Sequence, residues 1–233
     1  MPRGGTEPTM AVRMTATRHA DMRIRVVDLT RPVGDGTEGY PGDSVAVRLV
    51  AVPRAGGEAY DAYDLLSCHA GTHLDAPLHF VPGGRDAASL PLWAPPAVVV
   101  AARGQAIGVG ILPEKGELAG RAVLLCTGWD THIGVAVYYR DAPFLTAEAA
   151  ERLAEAGAVT VGMDSPSADP FASRDFPAHR ALLGAGIPIV EGLVGLGQLL
   201  GETRGLHFVA FPLRVRGTDA SPVRAAALVI EPA

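Results

Sequence analysis

Three of the seven histidines of this 233-residue chain, and one aspartate, fall within eleven residues, His69-Ala70-Gly71-Thr72-His73-Leu74-Asp75-Ala76-Pro77-Leu78-His79. Imidazole nitrogen and carboxylate oxygen are the donors that a borderline dication such as Zn²⁺ selects. The bland alternative is a polar turn with satisfied histidines, which gives no reason for three imidazoles to gather. Spacing constrains the geometry. Fully extended, residues 69 to 75 would cover about 20 Å, whereas ligands of one metal lie within about 4–5 Å of one another. A helix stacks His69 over His73 but turns Asp75 roughly 200° away from His73. Neither regular element gathers the set alone. Gly71 and Pro77 supply breaks, so the spacing predicts a strand ending near Cys68, a sharp bend, and a short turn carrying His73 to His79.

The elements that must position these residues are read from apolar runs. Ile24–Leu29, Val45–Val50, Ala97–Ala102, Ala122–Thr127, Val159–Met163, Ile187–Val190, Phe208–Leu213 and Ala226–Ile230 read as short strands, mostly continuous rather than alternating and therefore buried. One helix begins at Thr146 as N-cap, carries the stripe Leu145, Ala149, Leu153 and Ala156, and ends at Gly157. A second is expected over Pro177–Leu183, stopped by Gly184 or Gly186, and a third over Val194–Leu200. No flexible linker divides the chain. The fold class expected is α/β, a single domain over residues 22–233 with mostly buried short strands and few helices. Residues 1–21 are polar and rich in small residues, and read as a flexible N-terminal tail or as an arm against a neighbouring subunit.

Composition excludes several classes. Twenty Lys and Arg against 25 Asp and Glu give a net charge of −5, and no basic run suggests nucleic acid as a partner. The longest uncharged apolar run, Leu90–Ala102, is broken by Pro91, Pro95 and Pro96 and is too short to span a bilayer. Two cysteines, Cys68 and Cys126, make no disulfide framework, and a reducing cytoplasm is the expected setting.

The histidine block meets every fixed position of H-x-G-T-H-x-D-x-P-x-H. The chain thereby resembles the metal-dependent hydrolases called the cyclase family, whose best-studied members are bacterial kynurenine formamidases (arylformamidases). Further segments carry the resemblance in order: Tyr40-Pro41-Gly42-Asp43, Gly162-Met163-Asp164-Ser165-Pro166-Ser167, His179-Arg180, Ile189-Val190-Glu191-Gly192-Leu193, and Asp219-Ala220-Ser221-Pro222-Val223-Arg224. Together they cover the chain from about residue 26 to 230.

The resemblance implies a swivelling β/β/α fold and two divalent metal ions, with Zn²⁺ expected and Mn²⁺ the alternative. It implies that His69, His73 and Asp75 bind a first metal and that Asp75 bridges to a second completed by His179 and Glu191. Taken alone, Glu191 would read as a solvated carboxylate and His179 as a surface helix residue. His79 is assigned by resemblance to proton transfer, a role that imidazole suits at neutral pH. The alternatives are a third histidine ligand or a donor to Asp75. Tyr40 stands where the family often places Trp against an aromatic substrate; it also reads as part of a plain turn before Pro41-Gly42.

Asp164 and Asp219 are read as structural, because their Asp-Ser-Pro and Asp-Ala-Ser-Pro settings suit Asx-turns. His19, His132 and His207 lie outside every block. Phe80 and Trp93 follow the motif and read as pocket wall or as core. The activity implied is hydrolysis of an amide C–N bond by metal-activated water, with an N-formyl arylamine such as N-formylkynurenine as substrate. The alternatives are an isatin-type cyclic amide, ring closure or lactone processing in secondary metabolism, and a non-catalytic metal-binding protein. A homodimer or larger homo-oligomer is expected, also by resemblance.

Overall fold

Strand alternation governs how the chain is layered. In a computed structural model the described residues are 22–232, apart from 38, 43–45, 55, 58 and 203. The expected N-terminal tail and Asp43 of the Tyr-Pro-Gly-Asp turn lie outside them. The strands are β1 (Met22–Asp28), β2 (Val47–Pro53), β3 (Ala59–Leu65), β4 (His73–Asp75), β5 (Ala97–Ala101), β6 (Ala106–Ile107), β7 (Ala122–Cys126), β8 (Phe144–Leu145), β9 (Thr160–Met163), β10 (Ile189–Glu191), β11 (Leu206–Pro212) and β12 (Ala220–Pro232). The α-helices among the described residues are α1 (Lys115–Leu118), α2 (Val137–Arg140), α3 (Ala147–Glu155) and α4 (Pro177–Gly184).

The main sheet runs β1-β12-β4-β10-β9-β7-β5, with β11 also paired to β12. β5, β7, β9 and β10 are mutually parallel, whereas β4 lies antiparallel between β10 and β12. Successive side chains point to opposite faces of a strand, and the parallel strands are buried on both. Val123, Leu125, Val161, Met163 and Ile189 face the core under α3 and α4, with Leu153, Leu182 and Leu183. Leu124, Val190 and Leu74 face a second core with Phe208, Val223, Ala225, Leu196 and Leu199. Helices thus cover one face and the β11–β12 part of the sheet covers the other. This is the expected single α/β domain with few helices.

Two of the three expected helices form as their end signals require. The Thr146 hydroxyl accepts the Ala149 N–H at 3.2 Å, and Gly157, past the end of α3, takes φ +77°. α4 starts on Pro177 and ends short of Gly186, at φ +78°.

Three expectations are corrected. His73–Asp75 is a strand, not part of a turn: pairing with β10 and β12 on both sides outweighs the three-residue length. Val194–Leu200 forms only a 3₁₀ turn over Leu196–Leu199, because Gly195 takes φ +71° and resets the chain. The strand expected at Val45–Val50 is half of a hairpin with β3, and it is mostly exposed rather than buried. The strand expected to end near Cys68 is β3, which ends earlier, at Leu65. No helix among the described residues is long and apolar enough to cross a membrane.

Leu74 sits between the ligand candidates His73 and Asp75 but points into the opposite core, where it is buried. Leu74→Ala is expected to cost about 2–5 kcal/mol and to lower the urea midpoint of the purified protein. An unchanged midpoint would show that this face of β4 is not packed.

Candidate metal centre

The pairing of β4 with β10 sets His73 opposite Glu191, Leu74 opposite Val190 and Asp75 opposite Ile189. Paired residues share a face. Leu74 and Val190 fill one core, so His73, Asp75 and Glu191 project together to the other side, toward α4. There α4 presents His179, itself buried. His69 arrives from the turn before β4. That turn needs two glycines: Gly71 at φ +65°, where a Cβ would stand 2.4 Å from Val33 Cγ1, and Gly192 at φ +66°, where a Cβ would stand 2.8 Å from the Gly71 oxygen.

The five residues converge. His69 Nδ1 lies 3.0 Å and His73 Nε2 3.5 Å from Asp75 Oδ1, and His179 Nε2 lies 3.5 Å from Asp75 Oδ2. Glu191 reaches His179 Nε2 at 3.2 Å through Oε1 and His73 Nε2 at 3.4 Å through Oε2. Asp75 is 1% exposed, yet neither of its carboxylate oxygens accepts a hydrogen bond of acceptable geometry; the imidazoles stand close with their N–H directions out of line. A desolvated carboxylate without donors is strongly disfavoured unless a cation compensates it. Among the described residues three groupings, His69 with His73 and Asp75, His69 with His79 and Asp219, and Asp75 with His79 and His179, each have ligand atoms within 4.8 Å of one another. Donor type, burial and the unpartnered oxygens all fit a divalent metal.

Other contacts aim the rings. His73 Nδ1 lies 3.2 Å from the Gly71 carbonyl, which only accepts, so Nδ1 carries the proton and Nε2 faces the centre. His179 Nδ1 lies 2.6 Å from Asp169 Oδ2, so it too turns Nε2 inward. The Asp169 carboxylate also accepts the N–H groups of Ala178 and His179 at the start of α4. Phe176, just before that helix, is held at φ 48°, the one positive φ of a non-glycine among the described residues. Such a conformation costs about 1 kcal/mol or more, and the Phe176 N–H donates to Ser173 Oγ at 3.1 Å.

Burial disfavours charge on His69, but the Asp219 and Asp75 carboxylates outweigh it and push the imidazole up to about 10. His179 is likewise pushed up: Asp169, Asp75 and Glu191 overcome its burial. Burial raises Asp75, and the surrounding imidazoles more than reverse this, holding it well below the ordinary carboxylate range.

His79 ends a 3₁₀ turn after Pro77 and does not bond Asp75. Its Nδ1 lies 2.7 Å from Asp219 Oδ2, and the same oxygen lies 3.6 Å from His69 Nε2. The reading of Asp219 as merely structural is therefore corrected: its partner is 140 positions away, and nothing in its local Asp-Ala-Ser-Pro setting announces it. Asp169 was not singled out at all, since Asp169-Pro170 reads as a turn. Asp164 accepts the N–H groups of Thr127 and Gly128, 37 and 36 positions away in the chain.

His69, His73, Asp75, His79, His179 and Glu191 line a cavity of about 260 Å³ walled by Tyr40, Phe80, Tyr138, Tyr139 and Phe176. Tyr40 packs at 5.4 Å from Tyr139 and 5.7 Å from Phe171, ring centre to ring centre. Burial, reinforced by the Glu191 charge, pushes its phenol up to about 12, so its hydroxyl stays protonated. Trp93 lies at a separate small cleft with Phe208. His132 stacks on Trp129 and His207 bonds the Ala94 carbonyl; His19 is outside the described residues.

The model of the Cyclase family matches residues 27–170. The chain belongs to the Cyclase family. It is an enzyme of that family, with the hallmark block gathered at one cavity. The chain is 37% identical over 212 residues to a kynurenine formamidase of Salinibacter ruber, covering 87% of this chain and 96% of that one. Among solved structures it resembles isatin hydrolase A from Ralstonia solanacearum, with TM-score 0.71, 25% identity, and 88% and 92% of the two chains covered. It also resembles a protein described as a predicted metal-dependent hydrolase from Bacillus stearothermophilus, with TM-score 0.64, 26% identity, and 88% and 98% covered.

Metal ligation requires neutral imidazoles. In the metal-free protein the neighbouring carboxylates favour the protonated, cationic form of His69 and His179. Zn²⁺ binding is therefore expected to release protons, and apparent affinity to rise with pH through neutrality until pH passes about 10, where His69 is already neutral. Calorimetry in two buffers of different ionisation enthalpy reads the released protons; identical heats in both would contradict the assignment. Asp169→Ala is expected to weaken metal binding about 10–100-fold, measured by competition with a chelating dye.

Proposed function

We propose that the chain hydrolyses the C–N bond of an aryl amide, an N-formyl arylamine such as N-formylkynurenine in the first instance. The observation that carries this reading is the buried Asp75 carboxylate, donor-free and surrounded by His69, His73, His179 and Glu191. In the proposal His69, His73 and Asp75 hold one divalent ion, and Asp75, His179 and Glu191 a second, with Zn²⁺ first and Mn²⁺ as the alternative. When bound, such ions supply Lewis acidity, lowering the pKa of water toward about 7 and polarising an amide carbonyl.

The protein's own groups do the rest. Asp219 accepts the Nδ1–H of His79, which leaves Nε2 as the basic nitrogen and stabilises the imidazolium once formed. Nε2 takes the proton given up by water and delivers it to the amide nitrogen as the C–N bond breaks. An amine anion is a very poor leaving group, so this delivery is required. Tyr40, Phe80 and Tyr139 offer faces for the aryl ring and exclude water from it. The 37% identity to a kynurenine formamidase supports the formamide substrate. Likeness to an isatin hydrolase supports a second reading, opening of a cyclic aryl amide by the same groups.

The proposal includes a homo-oligomer. The β2–β3 hairpin exposes Leu49, Val50, Tyr63 and Leu65, and a lone two-stranded hairpin is marginally stable in water. A second copy covers it in this reading, and a monomer mass by light scattering that holds at every concentration would refute it. A reducing cytoplasm suits Cys68 and Cys126, both free.

Metal-reconstituted protein is expected to carry two equivalents and to release formate from N-formylkynurenine faster than it opens isatin. Protein with two equivalents that hydrolyses neither overturns the reading. His79→Ala is expected to keep both metals and lose roughly 10²–10⁴-fold in kcat. Loss of metal together with activity would make His79 a ligand instead.

A further inference from the structure

Arg31 is the only Arg or Lys among the described residues that line the cavity. It has no carboxylate partner among the described residues; the other arginines at ion pairs, Arg25 and Arg224, bind Glu202 and Asp28 on the outside of the sheet. Its guanidinium instead lies over the Tyr138 ring, 5.7 Å from the centroid. A guanidinium left without an anion beside a cavity is a receptor for one. Its planar fork matches the two oxygens of a carboxylate, and packing on a ring fixes the fork while leaving its N–H edge available.

The backbone beneath Arg31 is anchored to the metal centre. Its N–H donates to Thr72 Oγ1 at 2.8 Å, and the Thr72 hydroxyl donates to the Gly192 carbonyl at 2.6 Å. Thr72 immediately precedes His73, and Gly192 immediately follows Glu191. Thr30, just before Arg31, bridges Leu193 and exchanges hydrogen bonds with Ala225 through its hydroxyl. The backbone from which the guanidinium extends is thus fixed relative to the proposed ligands, as a specificity group requires.

We propose that Arg31 determines specificity by receiving a carboxylate on the substrate, so that the site selects aryl amides that carry a carboxylate over those that carry none. This rests on the aryl-amide hydrolase reading and adds to it a carboxylate on the substrate. The carboxylate belongs to the part of the molecule that does not react. Arg31 therefore acts on binding and orientation and takes no part in proton transfer.

The test compares metal-loaded wild type and Arg31→Gln on N-formylkynurenine, which carries a carboxylate, and on formanilide, which carries none. The ratio of kcat/KM for N-formylkynurenine to that for formanilide is expected to fall roughly 10–100-fold, the loss expected of a charge-assisted hydrogen-bonded pair. The fall is expected in KM more than in kcat, with partial recovery in Arg31→Lys. An unchanged ratio, including a parallel fall for both substrates, overturns the proposal and leaves Arg31 as packing for Tyr138. Calorimetric titration with kynurenine gives a readout without turnover. If metal-loaded wild type hydrolyses neither amide, the hydrolase reading fails. Kynurenine affinity then decides Arg31 on its own: weaker binding to Arg31→Gln supports the anion site, and equal binding removes it.

Discussion

Burial of the Asp75 carboxylate is the constraint on which the site depends. Moving a charged carboxylate out of water costs several kcal/mol even after the protein relaxes, and the strand that carries it is three residues long. Three imidazoles crowd it without satisfying either oxygen. The surroundings consequently work at holding these groups in place: Gly71 and Asp169 turn two rings inward, Ala168 N–H bonds Glu191 Oε1 at 2.7 Å, and Asp219 joins His79 to the rim. The protein maintains an arrangement that its own hydrogen bonds do not complete.

The fold supplies that arrangement through strand parity. In β4 the odd positions face the cavity and Leu74 faces the second core, and β10 repeats the division with Ile189 and Glu191 against Val190. A slip of one residue in either pairing would bury leucine or valine in the site and drive ligands into an apolar core. Packing on the far face therefore fixes the chemistry on the near face. This is why a strand of minimal length suffices, and why it lies in the middle of the sheet rather than at its edge.

The sequence disclosed residues that act through type and local spacing. The block from His69 to His79 was legible because its donors are close together and its breakers are Gly and Pro. α3 and α4 were legible from Thr146, Gly157 and Pro177. His179 and Glu191 were legible only through family resemblance. Partners that meet through tertiary contact left no local trace: Asp169 and Asp219 look like turn residues, and each finds its histidine only once the chain has closed. β4 was missed for the same reason, since three residues carry no periodicity and their extended form comes from neighbours on either side. The β2–β3 hairpin departs from expectation in exposure: most apolar residues of β2 are exposed, so an apolar run there does not mean burial.

The long strand β12 has a consequence for the order of events in synthesis. Its start pairs with β4 beside the site, and the rest of it pairs with β1 and β11. Asp28, at the end of β1, meets Arg224 across 196 positions of chain. During translation, then, β1 and β4 leave the ribosome long before either can acquire this neighbour. Closing such distant pairs is slow, because chain entropy is lost before contacts repay it. His69, His73 and Asp75 are among the earlier candidate ligands to emerge, yet the strand that borders them is among the last. The strand pairing that borders His73 and Asp75 is therefore complete only once the C-terminal strand has been made.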